Sequence, residues 1–196
     1  MTEQLSGDPL ALLARWFEAG DHRTMTFATA DADGVPHART VLVTGVGPAG
    51  VRFHSSTPTT KTRDIAANPR ATGVFHWPSL GRQVVVEGRA GELDAETSRA
   101  GYLAQPRRLQ LIAWAYHALL PRLEPPHHAV APGAVEAAFD AAAADPASAE
   151  PPPSWTTILL EPERIDFWQA GTETTTSTKT RFVRDGDGWR HFPALP

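Results

Sequence analysis

The chain contains no cysteine, which excludes disulfides and thiolate-held metals at once. It also lacks any apolar run near the roughly 18 residues that would span a bilayer. Its opening residues, 1–8, are polar, so no membrane association is expected. Basic residues number 18 against 22 acidic ones, for a net charge of −4, and they do not run together. A nucleic-acid surface needs clustered positive charge, so nucleic acid is not an expected partner. No internal repeat is present, and neither a Ser-His-Asp set nor a pair of catalytic carboxylates suggests itself. These absences leave a soluble, cytoplasmic protein whose 196 residues suffice for a single domain with a sizeable core.

Several elements can be read directly. Asp8-Pro9 has the form of an N-cap followed by proline at the first helical position. Leu10, Leu13 and Phe17 recur at helical spacing, and Gly20 closes an N-terminal helix over 8–20. Strands are expected over 25–30, 36–43 and 51–55, separated by an Asp31-Ala32-Asp33-Gly34 turn and a second turn at 45–50. No Gly-x-Gly-x-x-Gly is read as following a strand, so a dinucleotide site of the Rossmann type is not expected. Thr60 is expected to cap a helix over 61–67, which Asn68-Pro69 stops. Strands over 71–77 and 82–93 follow, then helices from Asp94, over 110–120 and over 133–144. Residues 145–154 read as an extended proline-rich linker, and 155–196 as C-terminal strands at 156–160, 164–168, 181–184 and 189–192. Many short strands with too few helices for βαβ units favour a mainly β fold with helical decoration, a closed or half-closed antiparallel barrel.

Two positions carry the chemistry. Arg39 leads the β-branched strand Arg39-Thr40-Val41-Leu42-Val43, and Lys61 opens a helix. A guanidinium fork and an ammonium group suit a phosphate dianion. Taken alone, Arg39 also suits an ion pair with a neighbouring carboxylate. A lysine in the first turn of a helix is unfavourable unless an anion is near. Gln83 also suits an ordinary outward strand position, and Trp168 a core aromatic. The pair His127-His128 has no third ligand close by, and no metal is expected.

Seven collinear segments resemble the pyridoxamine 5′-phosphate oxidase family of FMN-binding split barrels. They include Ala38-Arg39-Thr40-Val41-Leu42, Lys61-Thr62-Arg63-Asp64-Ile65-Ala66-Ala67-Asn68-Pro69, Phe75-His76-Trp77, Arg82-Gln83-Val84-Val85-Val86-Glu87-Gly88 and Arg164-Ile165-Asp166-Phe167-Trp168-Gln169. The resemblance implies a homodimeric split barrel with FMN between subunits. It implies that Arg39 and Lys61 contact the FMN phosphate, that Ser55 adds a hydroxyl, and that His54 stands where tyrosine is usual. The backbone of Thr40, Val41 and Leu42 would pass along the ring edge. Gln83 would offer an amide, Trp168 would come from the partner side, and Thr60 and Lys179 would replace flavin-contacting arginines. The implied reaction moves hydride from a small-molecule substrate to the flavin N5, with oxygen reoxidising the flavin in an oxidase.

Departures from the family pattern concern the substrate. A lysine after the Arg39 strand is Thr44 here, and a tyrosine, arginine and serine of the following helix are Gly101, Gln105 and Leu109; a one-residue slip would supply Tyr102. The terminal Arg-Leu-His-x-Arg stretch becomes Thr175-Thr176-Ser177-Thr178-Lys179. Losing several charge-assisted hydrogen bonds of about 1.5–3 kcal/mol each removes most affinity for a phosphorylated substrate. The expectation is therefore an FMN-dependent oxidoreductase acting on a non-vitamin small molecule, as in secondary-metabolite biosynthesis. Pyridoxine/pyridoxamine 5′-phosphate oxidase proper, a non-catalytic flavin-binding module, and a site for deazaflavin or haem remain as alternatives. Arg107 and Arg108 are further candidates for an anionic substrate group.

Overall fold

The computed structural model describes residues 5, 7–123 and 129–195, so His127 and His128 lie outside the described residues. Two compact units share the chain. One comprises the chain up to Phe53, Arg63–Gly91 and everything from Leu159; the other comprises His54–Thr62 and Glu92–Ile158.

In the first unit, helix α1 (Pro9–Ala19) starts as its sequence dictates, with the Asp8 carboxylate accepting from the Leu10 N–H at 2.9 Å. Its end differs from expectation in cause. Gly20 has φ −68°, so no left-handed cap is formed. A Cβ there would overlap the indole of Trp77, and close approach rather than backbone freedom requires the glycine.

Strands β1 (Thr24–Ala30), β2 (Pro36–Gly47), β3 (Gly50–Ser56), β4 (Arg70–Trp77), β5 (Arg82–Glu92) and β6 (Trp155–Gln169) are ordered β3-β2-β1-β4-β5-β6, and a β3–β6 pairing closes them into a six-stranded barrel. β7 (Thr178–Asp185) and β8 (Gly188–Pro193) extend the sheet beyond β6. Gly45, Gly47 and Gly50 do have the G-x-G-x-x-G spacing, but they join two antiparallel strands and no helix follows them. The sequence lacks the strand-to-helix context that a dinucleotide site requires. Period-2 alternation sends Phe27, Phe53, Phe75, Val84, Val86 and Phe167 into the core, each fully buried. Phe27 and Phe53 meet at 4.8 Å, and Trp16 of α1 meets Phe167 edge-on at 5.1 Å.

The two strands expected at 156–160 and 164–168 are one 15-residue strand, β6. Glu161-Pro162 reads as a break because proline donates no ladder hydrogen bond. The strand tolerates it where β3 and β5 both press on its backbone. A Cβ on Gly50 (φ +134°) would overlap the Leu160 carbonyl, and one on Gly88 would overlap the Glu161 carbonyl.

The second unit contains α3 (Ala95–Leu103), α4 (Arg107–Leu119) and α5 (Ala134–Ala144), with α4 packed on α5. Asp94 caps α3, accepting from the Thr97 N–H at 2.7 Å. Within 145–154 an extended spacer is expected, yet Pro146–Ala149 forms a 3-10 turn whose Ser148 is fully buried. The Ser148 carbonyl accepts from the Tyr102 hydroxyl at 2.7 Å and from Arg107 at 2.6 Å. Helix α2 (Thr60–Ala67) runs across the boundary of the two units. Thr60 is its first helical residue rather than its cap.

Candidate functional site

Arg39 lies on β2 opposite Phe27 of β1. Its Nη1 donates to the Thr29 hydroxyl at 2.8 Å and to the Phe27 carbonyl at 3.1 Å. Asp64, a buried carboxylate, sits 3.9 Å from Nη2, accepts from the Thr29 hydroxyl at 2.6 Å, and lies 3.0 Å from His37 Nδ1. Burial pulls the Arg39 pKa down from its ordinary value while Asp64 pushes it back up. The guanidinium is therefore held in place by strand β1 and by Asp64. Along the same strand Val41 is buried, whereas Thr40 and Leu42 face outward, with Leu42 49% exposed despite its size.

In the second unit the Lys61 ammonium donates to the Ser55 hydroxyl at 2.9 Å and to the Thr59 hydroxyl at 3.3 Å. The spacing Ser55–Lys61 thus brings a buried hydroxyl and a cation together. His54 points elsewhere: its Nδ1 lies 2.9 Å from the Thr157 hydroxyl, and its ring lies 4.7 Å from that of Trp155. Burial lowers the His54 pKa to about 4, so the ring is neutral at pH 7.

This sets a pH dependence. The unfolded histidine takes a proton near pH 6.5 and the folded one only near pH 4, so stability is full above pH 6.5 and falls as pH drops towards 4. Allowing for solvent screening, the loss is about 2 kcal/mol. Urea melts at pH 7 and pH 4.5 should show a larger loss for the wild type than for His54→Gln. Equal losses would contradict the buried neutral ring.

Gln83, Trp168 and Lys179 gather in one cavity of about 240 Å³, which His76, Val85 and Asp166 complete. Strand register explains the assembly: His76 lies opposite Gln83, Trp168 opposite Lys179, and Asp166 opposite Arg181. Asp166 is 4% exposed and accepts two hydrogen bonds from Arg181, at 2.8 and 2.7 Å, while the Lys179 ammonium is 3.2 Å away. Burial pushes the Asp166 carboxyl up, but Arg181 and Lys179 outweigh it and hold its pKa below the ordinary value. Sequence reasoning missed Asp166, Arg181 and His76. The spacings Asp166-x-Trp168 and Lys179-x-Arg181 carried the signal, since alternate residues on paired strands share a face.

Other candidates are not among the residues that line this cavity. Tyr102 is fully buried with its hydroxyl on Ser148, and Arg107 is bound to the carbonyl and hydroxyl of Ser148. Gly101 has no room for a side chain, because a Cβ would stand 2.5 Å from His54 Cε1. Thr44 donates to the Arg52 carbonyl at 3.2 Å, and Gln105 to the Gly101 carbonyl at 3.2 Å. Residues 172–176 are exposed, and the Thr172 hydroxyl lies 2.9 Å from that of Thr175 and 3.3 Å from that of Thr174.

The sequence model of the pyridoxamine 5′-phosphate oxidase family matches residues 15–169 of this chain. The chain belongs to the pyridoxamine 5′-phosphate oxidase family. Curated relatives include the pyridoxine/pyridoxamine 5′-phosphate oxidases of Rubrobacter xylanophilus, 37% identical over 96% of this chain and 87% of that protein, and of Anaeromyxobacter dehalogenans, 39% identical over 93% and 92%. Among solved structures, PhzG from Burkholderia lata 383, in complex with tetrahydrophenazine-1-carboxylic acid, matches with a TM-score of 0.82 at 22% identity, covering 97% of this chain and 94% of that one. A pyridoxamine 5′-phosphate oxidase-related, FMN-binding protein from Nostoc punctiforme matches with a TM-score of 0.78 at 19% identity, covering 98% and 100%. These likenesses establish the split barrel of the family, and membership supports an oxidoreductase of the flavin-dependent kind. No helix among the described residues is long and apolar enough to cross a membrane.

Proposed function

We propose that this member of the pyridoxamine 5′-phosphate oxidase family is an FMN-dependent oxidoreductase acting on a small molecule other than a phosphorylated vitamin. It works as one split-barrel domain in a homodimer. The observation that carries the flavin reading is the cavity in which an amide, an indole and an ammonium converge, at Gln83, Trp168 and Lys179. That donor set fits a flat heteroaromatic ring with polar edges. Arg39, Ser55 and Lys61 fit a phosphate: a held guanidinium, and an ammonium already hydrogen-bonded to a hydroxyl.

Arg39 is not among the residues that line the ring cavity, although both belong to the first unit. This supports a second copy of the chain completing the site, with Trp168, and the Gln83 and Lys179 that share its cavity, contributed from the partner side. The outward faces of Thr40 and Leu42 support the same arrangement.

Bound FMN supplies a two-electron acceptor for hydride removal from a substrate C–H or C–N centre. The chain's own part is to grip and orient. Arg39 and Lys61 neutralise the phosphate, Gln83 reads a ring edge by its amide, and Trp168 excludes water from one side. Lys179 places positive charge beside the ring.

The substrate reading rests on positions that are crowded or whose polar groups are already engaged within the chain. Gly101 is closed by His54, Tyr102 and Arg107 are bound to Ser148, and Thr44 serves the backbone of Arg52. Similarity to curated pyridoxine/pyridoxamine 5′-phosphate oxidases at 37–39% identity favours the competing reading, that the chain is such an oxidase itself. The deciding experiment is oxygen consumption by the FMN-loaded protein with pyridoxamine 5′-phosphate. Turnover at least about a hundredfold below that of an authentic oxidase is expected, as the loss of two or more charge-assisted bonds implies. Comparable turnover would establish the competing reading.

A further inference from the structure

The wall of the ring cavity is built around one buried carboxylate that faces more positive charge than it can neutralise. Asp166 Oδ2 lies 2.7 Å from Arg181 and 3.2 Å from Lys179, and Asp166 Oδ1 lies 3.8 Å from Arg164 Nε. Arg164 also pairs with Glu87, so three cations face two carboxylates. Arg181 takes both carboxylate oxygens through its planar fork. Lys179 is left with a single contact to Asp166 and lines the cavity, which Arg181 does not. The arrangement has two tiers: a rigid bidentate pair behind, and an ammonium tethered in front.

The rest of the chain sharpens the point. Arginine occurs sixteen times and lysine twice, at Lys61 and Lys179. Where this chain needs a cation it uses arginine almost throughout. The position that faces the cavity instead carries a compact ammonium with rotatable donors, which one carboxylate can share with an incoming group.

We propose that Asp166 is the positioning residue of this site: anchored by Arg181, it fixes the Lys179 ammonium on the cavity wall and leaves that wall with surplus positive charge for an electron-rich ligand edge. The proposal rests on the flavin reading for the identity of that edge and on the side-chain geometry alone for the tether. Loss of Asp166 acts on the ligand only through Lys179.

Two lysines make this measurable without any ligand. Reductive ¹³C-methylation of the full chain gives one signal from each lysine and one from the terminal amine, assigned with Lys61→Met and Lys179→Met. Asp166→Asn should move the chemical shift of the Lys179 signal, because its carboxylate partner is gone. Arg181→Met should also move it, in the opposite sense, because the carboxylate is then shared by Lys179 and Arg164 only. The Lys61 signal should stay unchanged in both. The Arg181→Met arm decides the question if Asp166→Asn fails to fold. A Lys179 signal indifferent to the variants overturns the tether.

FMN titration supplies the second readout. Asp166→Asn should weaken FMN binding about tenfold, the worth of one charge-assisted hydrogen bond. The double variant with Lys179→Met should bind no more weakly than Lys179→Met alone. Additive losses would make Asp166 a merely structural residue and overturn the proposal. A wild type that takes up no FMN would defeat the flavin reading, while the lysine signals would still decide the tether.

Discussion

Arg39→Met and Lys61→Met combined are expected to weaken FMN binding by about two to four orders of magnitude, since each removes a charge-assisted hydrogen bond of about 1.5–3 kcal/mol. Quenching of FMN fluorescence measures the loss directly. Folding should survive, because the hydroxyls of Thr29 and Ser55 each keep another partner. Without Arg39, the Thr29 hydroxyl still donates to Asp64 at 2.6 Å. Without Lys61, the Ser55 hydroxyl still donates to the Ser56 carbonyl at 2.8 Å. A double variant that melts like the wild type and binds FMN equally well would remove the phosphate role from both residues.

The largest stability effect is expected at Gly88. A methyl group there would overlap the backbone oxygen of Glu161, which is part of a paired strand and cannot swing aside. Gly88→Ala should cost about 3 kcal/mol or more, at the upper end for overpacking. Gly91, on the same strand, is the control. Nothing lies within 4 Å of where its Cβ would be, and Gly91→Ala should stay within about 0.5 kcal/mol of the wild type. Urea midpoints compare the two. Equal midpoints would mean that β6 does not press on β5 at Gly88 as described.

Much of this fold is written in short-range signals. Asp8-Pro9 starts α1, Asp31-Ala32-Asp33-Gly34 turns β1 into β2 with Gly34 at φ +82°, and alternation marks β5. What failed to show is long-range. Gly20 looks like a cap and is instead a seat for Trp77. Glu161-Pro162 looks like a strand break and lies where β6 serves two neighbours. The proline-rich run 145–154 looks like a spacer, yet it presents the Ser148 carbonyl to Tyr102 and Arg107. In each case the deciding partner lies roughly 40 or more positions away along the chain, where no local propensity can register it.

The site divides in the same way. Arg39, Lys61 and Gln83 stand out because their residue types and settings are chemically pointed. Asp64 and Asp166 do not stand out, because a carboxylate in a strand or helix reads as surface until its burial is known. They hold the cations in place, and only register or the fold reveals them.

The contact between Gly101 and His54 also orders the routes by which this chain can change. A large residue at 101 meets the imidazole at 2.5 Å from its first carbon atom, so it is disfavoured while His54 keeps its place between Thr157 and Trp155. Position 54 must yield first, and only then does 101 become free to vary. Laboratory evolution from this sequence should therefore find substitutions at 54 as the permissive step, and libraries randomised at 101 alone should return glycine.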